Sequence, residues 1–218
     1  MCIRDSNQRY GLHFMYSNDC AYRNNVFRAN GAGVAVMYAN HVEMVGNRFE
    51  DNPGAAAYGL LLKEIASPVL RGNVFARNTV GLLSDGSSSI VAEGNAFREN
   101  GWGMKLMANT SGEFVRNDFT ANTFDVATNG DAEDARLSGN YFQAYRGYDL
   151  DRDGNGDVPH RPVRLFAVLV ERNPPSMILL RSAFAGLLEG AERVLPALTP
   201  ATLVDERPSM RPRVPELN

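Results

Sequence analysis

Apolar and polar positions alternate in short stretches along the first two-thirds of the chain, in a pattern that repeats about every 22 residues. The phrase Asn-x-Phe-x-x-Asn occurs five times, and a degenerate copy follows at residues 140–142. The first Asn of each copy stands at Asn25, Asn47, Asn73, Asn95, Asn117 and Asn140. Each unit also has a glycine followed by a short apolar stretch, which leaves no room for a helix of ordinary length. This period predicts a solenoid with three short strands and three turns per unit.

Two solenoid classes have this period, and the residues between the Asn positions favour one of them. A leucine-rich repeat needs a second, helix-like side and a firmer leucine pattern. We therefore predict an all-β fold, a right-handed parallel β-helix with coils of about 22 residues, plus a C-terminal helical segment and an extended tail. The predicted organisation is a non-native or disordered start at 1–6, β-helix coils at 7–146, an Asp/Gly loop and the end of the solenoid at 147–172, and an amphipathic helix with a Pro-rich tail at 173–218.

The repeated Asn and Phe residues are best explained as structural. An Asn at a tight turn tolerates the left-handed conformation and bonds to neighbouring backbone. Stacked about 4.8 Å apart in successive coils, such side chains form an amide ladder, with the Phe residues stacked inside. Cys20 falls in the same column as the apolar Val42 and Ile90, so we expect it to be buried.

A candidate copper site stands on the outward positions of the first two coils. In the strand after each glycine, alternate positions are apolar in nearly every unit and should face inward. The intervening positions are mixed and should face outward. They include His13, Met15 and Met37, with the two methionines in one column of adjacent coils. Two thioethers and an imidazole are suitable ligands for Cu(I). The alternative is an apolar patch covered by further sequence or by a partner.

A second candidate metal site lies in the loop after the coils. Asp151, Asp153, Asn155 and the following glycine match the first half of a calcium-loop pattern, and Asp157 adds a further carboxylate. Pro162 stands where the pattern has a bidentate Glu, and no helix pattern flanks the loop. The segment is therefore either a structural Ca²⁺ site or an Asp- and Gly-rich turn.

The spacing of apolar residues becomes helical from Ser176, which can serve as the N-cap. One face carries Met177, Leu180, Phe184, Leu187, Leu188, Ala191 and Leu195. Such a helix either covers the open end of the solenoid, which would otherwise expose core and unpaired backbone, or docks a partner.

Composition excludes several classes of protein. The chain has 22 Lys and Arg against 25 Asp and Glu, a formal net charge of −3, which does not favour a nucleic-acid binder. Two cysteines exclude a disulfide scaffold and a Cys-rich zinc module. No apolar run approaches the roughly 20 residues needed to span a bilayer, and the first six residues lack the apolar segment of a secretory signal.

Four phrases in order resemble the NosD family of β-helical proteins. They are Tyr-Gly-Leu-His-Phe-Met-Tyr-Ser at 10–17, Gly-Val-Ala-Val-Met-Tyr at 33–38, Tyr-Gly-Leu-Leu-Leu-Lys-Glu-Ile at 58–65, and Gly-Tyr-Asp-Leu-Asp-Arg-Asp-Gly-Asn-Gly-Asp-Val-Pro at 147–159. Residues 177–200 are also similar to the C-terminal segment of that family. The resemblance extends over nearly the whole chain from about residue 8, although the family's signal peptide and first coils are expected to be missing.

The resemblance implies a periplasmic, non-enzymatic protein that works with an ABC-type ATPase and its membrane subunit. That assembly supports construction of the copper–sulfur centre of nitrous oxide reductase, and a copper chaperone meets the same complex. Family members are called copper-binding, which agrees with the outward His13, Met15 and Met37. By the same resemblance, the helix after Ser176 would dock onto the membrane subunit.

Two other classes of function remain open from the residues alone. Many β-helices are carbohydrate-active enzymes, such as uronate lyases or epimerases, which use an acid–base set in a groove. Outward Lys63, Glu64 and Asp85 could belong to such a set, but an exposed ion pair is the usual meaning of this arrangement. The third possibility is an adhesin or other structural solenoid with no ligand.

Overall fold

The protein is a parallel β-solenoid of about six turns, each of which contributes one strand to each of three parallel sheets. The computed structural model describes residues 3–54, 57–107, 109–129, 134–194 and 203–214, without the side chains of residues 174, 181, 183–185, 189, 193 and 194. All three sides of each coil are strands, so the predicted β-helix is confirmed and a leucine-rich repeat is excluded.

The three sheets have the following members in spatial order. Sheet A contains β1 (Ile3–Asp5), β4 (Val26–Arg28), β7 (Arg48–Glu50), β10 (Val74–Ala76), β13 (Ala96–Arg98), β16 (Asp118–Thr120) and β19 (Tyr141–Phe142). Sheet B contains β2 (Tyr10–Met15), β5 (Ala32–Met37), β8 (Tyr58–Lys63), β11 (Val80–Asp85), β14 (Trp102–Leu106) and β17 (Phe124–Thr128). Sheet C contains β3 (Ala21–Arg23), β6 (Glu43–Val45), β9 (Val69–Arg71), β12 (Ile90–Glu93), β15 (Gly112–Val115) and β18 (Ala135–Ser138).

The repeated Asn side chains form two ladders along the solenoid. In one of them, the backbone N–H and the side-chain amide of Asn47 both donate to Oδ1 of Asn73, at 2.9 and 3.1 Å. The same side-chain amide also donates back to the carbonyl of Tyr22, at 2.8 Å. The first ladder contains Asn25, Asn47, Asn73, Asn95, Asn117 and Asn140, and the second contains Asn7, Asn30, Asn52, Asn78, Asn100 and Asn122. The ladders satisfy backbone groups at turns where no regular strand pairing reaches them.

The predicted Phe stack fills the interior beside the ladders. Neighbouring rings from Phe27 to Phe142 lie 4.8 to 5.3 Å apart and within 12° of parallel. Arg4 of β1 is the residue opposite Phe27, so the column of Phe rings ends at Phe27. Residues 3–5 nevertheless form a strand in register with β4, whereas the sequence indicated a non-native or disordered start.

The C-terminal tail covers one end of the solenoid. Residues Leu137 and Tyr141 of the last coil form parallel bridges with Asp205 and Ser209. The carboxylate of Asp205 accepts hydrogen bonds from the backbone and side-chain amides of Asn140, at 2.9 and 2.8 Å, and thereby ends the first ladder. The ring of His160 lies 4.6 Å from that of Phe142 and covers the end of the Phe stack. The sequence predicted a mostly extended tail but did not indicate that it would pair with the last coil.

The helical segments pack on the outer face of sheet B, and Val168 of the first helix also packs against the core inside the solenoid. They are α1 (Leu165–Arg172), a 3-10 helix (Pro174–Arg181) and α2 (Ala183–Val194). Phe166 and Val170 of α1 are buried against the outward-facing Trp102 and Phe124. The sequence placed residues 147–172 in a loop and the end of the solenoid. Residues 165–172 are instead helical, because Phe166, Ala167 and Val170 then share one face that covers these aromatic rings.

Candidate functional site

The two outward methionines lie side by side on the open part of sheet B. Strands β2 and β5 pair so that Met15 stands directly opposite Met37, and His13 stands opposite Ala35. Met15 is 37% exposed and Met37 is half-buried. His13 is exposed on the same face of β2 as Met15, since the two residues are two positions apart in a strand. This arrangement gathers two thioethers and one imidazole, which are soft donors for Cu(I).

Aromatic side chains border the methionines. Tyr16 and Tyr38 follow the two strands at left-handed turn positions, and their rings stack at 5.3 Å. The ring of His13 lies 5.0 Å from that of Tyr10. Burial raises the pKa of Tyr58, and a hydrogen bond with Tyr10 contributes to the same shift. The first two turns of sheet B therefore carry aromatic side chains in addition to the two methionines and His13.

Cys20 is partly exposed, whereas the sequence predicted that it would be buried. Its column is the expected one, because the residue equivalent to it in the next coil is the buried Val42. Cys20 directly precedes β3, the first described strand of sheet C. Its thiol lies 3.4 Å from the carbonyl of Asn18 and lines a depression of about 330 Å³ together with His41. The Nδ1 atom of His41 is 3.4 Å from the carboxylate of Asp19.

The residues suggested for an acid–base set form an exposed ion pair. Lys63 Nζ lies 3.6 Å from the carboxylate of Asp85, and these side chains are 38% and 48% exposed. Glu64 is exposed at the turn after β8. An exposed pair of this kind contributes little to stability.

The acidic loop brings three carboxylates together, though not the full set selected from the sequence. Oxygen atoms of Asp149, Asp151 and Asp153 lie within 4.8 Å of one another. Asp149 was not among the predicted ligands. The predicted Asn155 instead accepts a hydrogen bond from Arg213 at 2.6 Å, and the predicted Asp157 accepts one from the backbone of Leu150 at 2.6 Å.

Two of these carboxylates already have partners within the protein, namely backbone N–H groups and the guanidinium of Arg207. The carboxylate of Asp149 accepts the backbone N–H groups of Asp153 and Gly154, at 3.1 and 2.9 Å. Hydrogen bonds from Asn155, together with the nearby guanidinium of Arg207, hold the pKa of Asp153 below its usual value. Oxygen donors in this number suit Ca²⁺, but in the described structure the loop is tied to the C-terminal tail through Arg207 and Arg213.

The predicted docking helix is divided into two parts, and most of its selected residues face the solenoid. The 3-10 helix ends at Arg181, and Ser182 has an extended backbone before α2 begins. Met177, Leu180 and Leu188 pack against the cluster around Trp102. Leu187 is 72% exposed, and Ile178, which the sequence analysis did not select, is 87% exposed. The side chain of Phe184 lies outside the described structure.

No helix within the described residues is long and apolar enough to cross a membrane.

Comparison with known proteins identifies related sequences. Residues 3–147 match the family model described as periplasmic copper-binding protein (NosD). A protein of Pseudomonas aeruginosa named probable ABC transporter binding protein NosD is 28% identical over 190 residues, which cover 82% of this chain and 40% of the relative. A protein of Stutzerimonas stutzeri with the same name is 27% identical over 198 residues, which cover 81% of this chain and 44% of the relative. The chain therefore spans less than half the length of these curated relatives.

Proposed function

Because the chain belongs to the NosD family, we propose that it is a periplasmic accessory protein that binds an ABC-type transporter and handles Cu(I). Its task in this proposal is to support assembly of the copper–sulfur centre of nitrous oxide reductase, without itself being a catalyst. A copper chaperone would deliver the ion, and the reductase would receive it. The observation that carries the proposal is the pairing of Met15 with Met37 beside the exposed His13.

The chemistry of this donor set suits a transferred ion. Cu(I) prefers soft thioether and imidazole ligands and accepts low coordination numbers, so that few donors suffice. Because His13 and Met15 are exposed, an incoming ligand of a partner can reach a bound ion from the solvent side. A site of this kind is suited to exchange, since exposure leaves coordination positions free for the next protein in the sequence.

The proposed transporter contact lies on the C-terminal helical segments. Met177, Leu180 and Leu188 attach these segments to sheet B and are less available to a partner. The exposed Ile178 and Leu187 remain as apolar contacts for the membrane subunit. Of the residues first selected for docking, Leu187 therefore retains that proposed role, and Ile178 joins it.

A structural Ca²⁺ ion in the acidic loop is a further part of the proposal. Asp149, Asp151 and Asp153 would supply its ligands, with Arg207 giving way as the ion binds. The loop is bonded to the tail that covers the end of the solenoid, so the ion would stabilise that end rather than take part in copper handling.

An anaerobic Cu(I) titration of the full chain in competition with a chromogenic chelator tests the copper proposal. We expect one equivalent of Cu(I) to bind to the unmodified chain, and a Met15→Leu/Met37→Leu variant to bind at least tenfold more weakly. Met107→Leu is the matched control, because the repeat alignment puts Met107 in the same outward column, next to Asp85 rather than next to another methionine. Unchanged stoichiometry and affinity in the folded double variant would contradict the proposal.

A further inference from the structure

Met15 is the most exposed methionine of the described residues. It is 37% exposed, whereas Met37 is half-buried and Met44 and Met104 are fully buried in the core. The remaining described methionines are half-buried, namely Met107, Met177 and Met210. Met15 therefore offers its side chain to small molecules in solution more fully than any other methionine in the described part of the chain.

The exposure of Met15 follows from the position of β2 in sheet B. Among the described strands, β2 is the last of this sheet and pairs with β5 alone. Met37 of β5 lies between Met15 on one side and Lys63 of β8 on the other. Met15 has such a neighbour on one side only. The two methionines are equivalent in the repeat, but they differ in exposure because one of them stands at an edge.

A polar group can be added to Met15 without disturbing the core. Met15 is exposed on the outer face of β2, whereas Phe14 before it packs against the core. Oxidation of the Met15 sulfur would place the new oxygen in solvent. The same reaction at Met44 or Met104 would place it among buried side chains and disrupt their packing. Oxidation of Met15 thus changes the chemistry of the surface and leaves the fold intact.

We propose that Met15 is a modification site, and that its oxidation to methionine sulfoxide by hydrogen peroxide closes the Cu(I) site that it forms with Met37 and His13. The thioether sulfur bonds to one peroxide oxygen while the O–O bond breaks. The sulfur is oxidised by two electrons, and the peroxide is reduced and leaves water. Methionine sulfoxide reductases reverse the change, because two thiols are oxidised to a disulfide and the oxygen departs as water.

The inference rests on the proposed Cu(I) site, since the sulfur that binds the ion is also the atom that is oxidised. A sulfoxide presents an oxygen, which is a harder donor than the thioether and suits Cu(I) less well. Met37 and His13 then remain as the two donors of the set. The oxidised chain therefore holds Cu(I) more weakly.

Closure of the site has a chemical purpose, because an exposed Cu(I) ion reacts with peroxide. Cu(I) gives one electron to hydrogen peroxide and becomes Cu(II), and the peroxide splits into hydroxide and a hydroxyl radical. A site that loses its affinity when peroxide is present keeps this reaction away from the chain. The exposure of Met15 that makes the ion available to a partner also makes the site sensitive to the oxidant.

Treatment of the metal-free full chain with hydrogen peroxide, followed by catalase, tests the modification itself. Peptide mass spectrometry should show that Met15 is oxidised about fivefold faster than the half-buried Met37 and Met107, since oxidation follows exposure. Circular dichroism of the chain oxidised at Met15 should be unchanged.

An anaerobic Cu(I) titration then compares the chain before and after oxidation. The oxidised chain should bind Cu(I) about tenfold more weakly. Both types of methionine sulfoxide reductase together should restore the affinity, because each reduces one epimer of the sulfoxide. Met107→Leu is the matched control and should respond to peroxide as the unmodified chain does. In Met15→Leu, the weak binding that remains should not change with peroxide, because the reactive sulfur is gone.

Three results would overturn the proposal. They are equal oxidation rates at Met15 and at the half-buried methionines, equal Cu(I) affinity before and after oxidation, and a loss of binding on peroxide treatment of Met15→Leu. Absence of Cu(I) binding before any peroxide is added would instead contradict the proposed function, and with it the closure of the site. The two failures are thus distinguished by the step at which they occur.

Discussion

Two regions of sheet B are built from the same repeat but differ in what packs on their outer face. At the C-terminal end, α1 covers Trp102 and Phe124, the tail pairs with the last coil, and His160 lies on the Phe stack. In the first two turns, Tyr10 stands in the column of Trp102 and Phe124 by the repeat alignment, whereas Met15 stands in a separate outward column with Met37 and Lys63. No described helix or tail is part of a cluster with Tyr10 or Met15.

The difference teaches that the outer face of sheet B carries different kinds of side chain in these two regions. Where the chain covers the face itself, the outward residues are large rings that add to stability. Where no described segment covers the face, they are thioether, imidazole and phenol groups, and the proposed copper site lies there. Variants that weaken the contacts of α1 and the tail therefore test whether stability depends mainly on the covered region of sheet B. Ligand titrations test whether binding depends on the uncovered region.

The largest expected effect comes from the carboxylate that ends the Asn ladder. In an Asp205→Ala variant, the amides of Gly139 and Asn140 lose the carboxylate that accepts their hydrogen bonds, and this carboxylate is fully buried. We expect the free energy of unfolding to fall by about 4 kcal/mol, since several buried donors to a charged group are left unpaired. Chemical denaturation measures this. Glu113→Ala, at an exposed position of β15, is the control and should change stability by less than about 0.5 kcal/mol.

The contact between α1 and the solenoid is expected to rank second. Phe166 is 6% exposed and lies 6.1 Å from the ring of Phe124. Phe166→Ala should cost about 3.5 kcal/mol, the usual range for removal of a buried ring. Trp102 is the single tryptophan of the chain, so its fluorescence should shift to the red as water reaches it. Leu187→Ala should leave both stability and emission nearly unchanged, because Leu187 is exposed; a large effect there would mean that α2 is more tightly packed than described.

Acid should weaken the C-terminal end through His160. Burial lowers the pKa of His160 from 6.5 to about 4, with a further contribution from Arg164. Between these values the unfolded chain binds a proton that the folded chain does not, so stability decreases as the pH falls from 6.5 to 4. The loss attributable to this group is about 3 kcal/mol. A His160→Phe variant keeps a ring on Phe142 and should show a correspondingly smaller decrease over this range. Equal pH dependence of the two chains would refute the assignment.

Calcium should produce the smallest effect and should act on the same end. If Ca²⁺ binds to Asp149, Asp151 and Asp153 with a Kd of about 1 mM, then 10 mM Ca²⁺ raises the free energy of unfolding by about 1.4 kcal/mol. Differential scanning fluorimetry with Mg²⁺ as the control detects this. Asp151→Asn should abolish the gain, and an equal gain with Mg²⁺ would argue against a specific site.

The repeat was predictable because it depends on local chemistry. Asn47, Phe49 and their equivalents recur at the spacing of one coil, and every coil places them in the same surroundings. The pairing of Met15 with Met37 followed from the same alignment. A period in the sequence is thus sufficient to assign columns, and through them the neighbours of each residue along the solenoid.

The parts outside the repeat depend on contacts between distant segments, which the sequence does not display. Asp205 and Asp118 resembled ordinary charged residues, although each holds backbone of a segment far away in the chain. The helical period around Met177 was visible, but the surface that it covers was not. Cys20 was assigned to its correct column, but it is partly exposed and not buried as predicted.

The hydrogen bonds of the first Asn ladder all run in one direction along the solenoid. This direction determines how repeat units can be gained or lost. Each internal rung donates from its backbone and side-chain amides to the oxygen of the next rung and offers its own oxygen to the preceding one. When one 22-residue unit is deleted or duplicated, the amide donors of one rung therefore still meet the side-chain oxygen of the next rung. Asp205 has no amide to donate, so it fits only as the last rung. Recombination can thus shorten or extend the solenoid by whole turns while one acidic residue continues to mark its end.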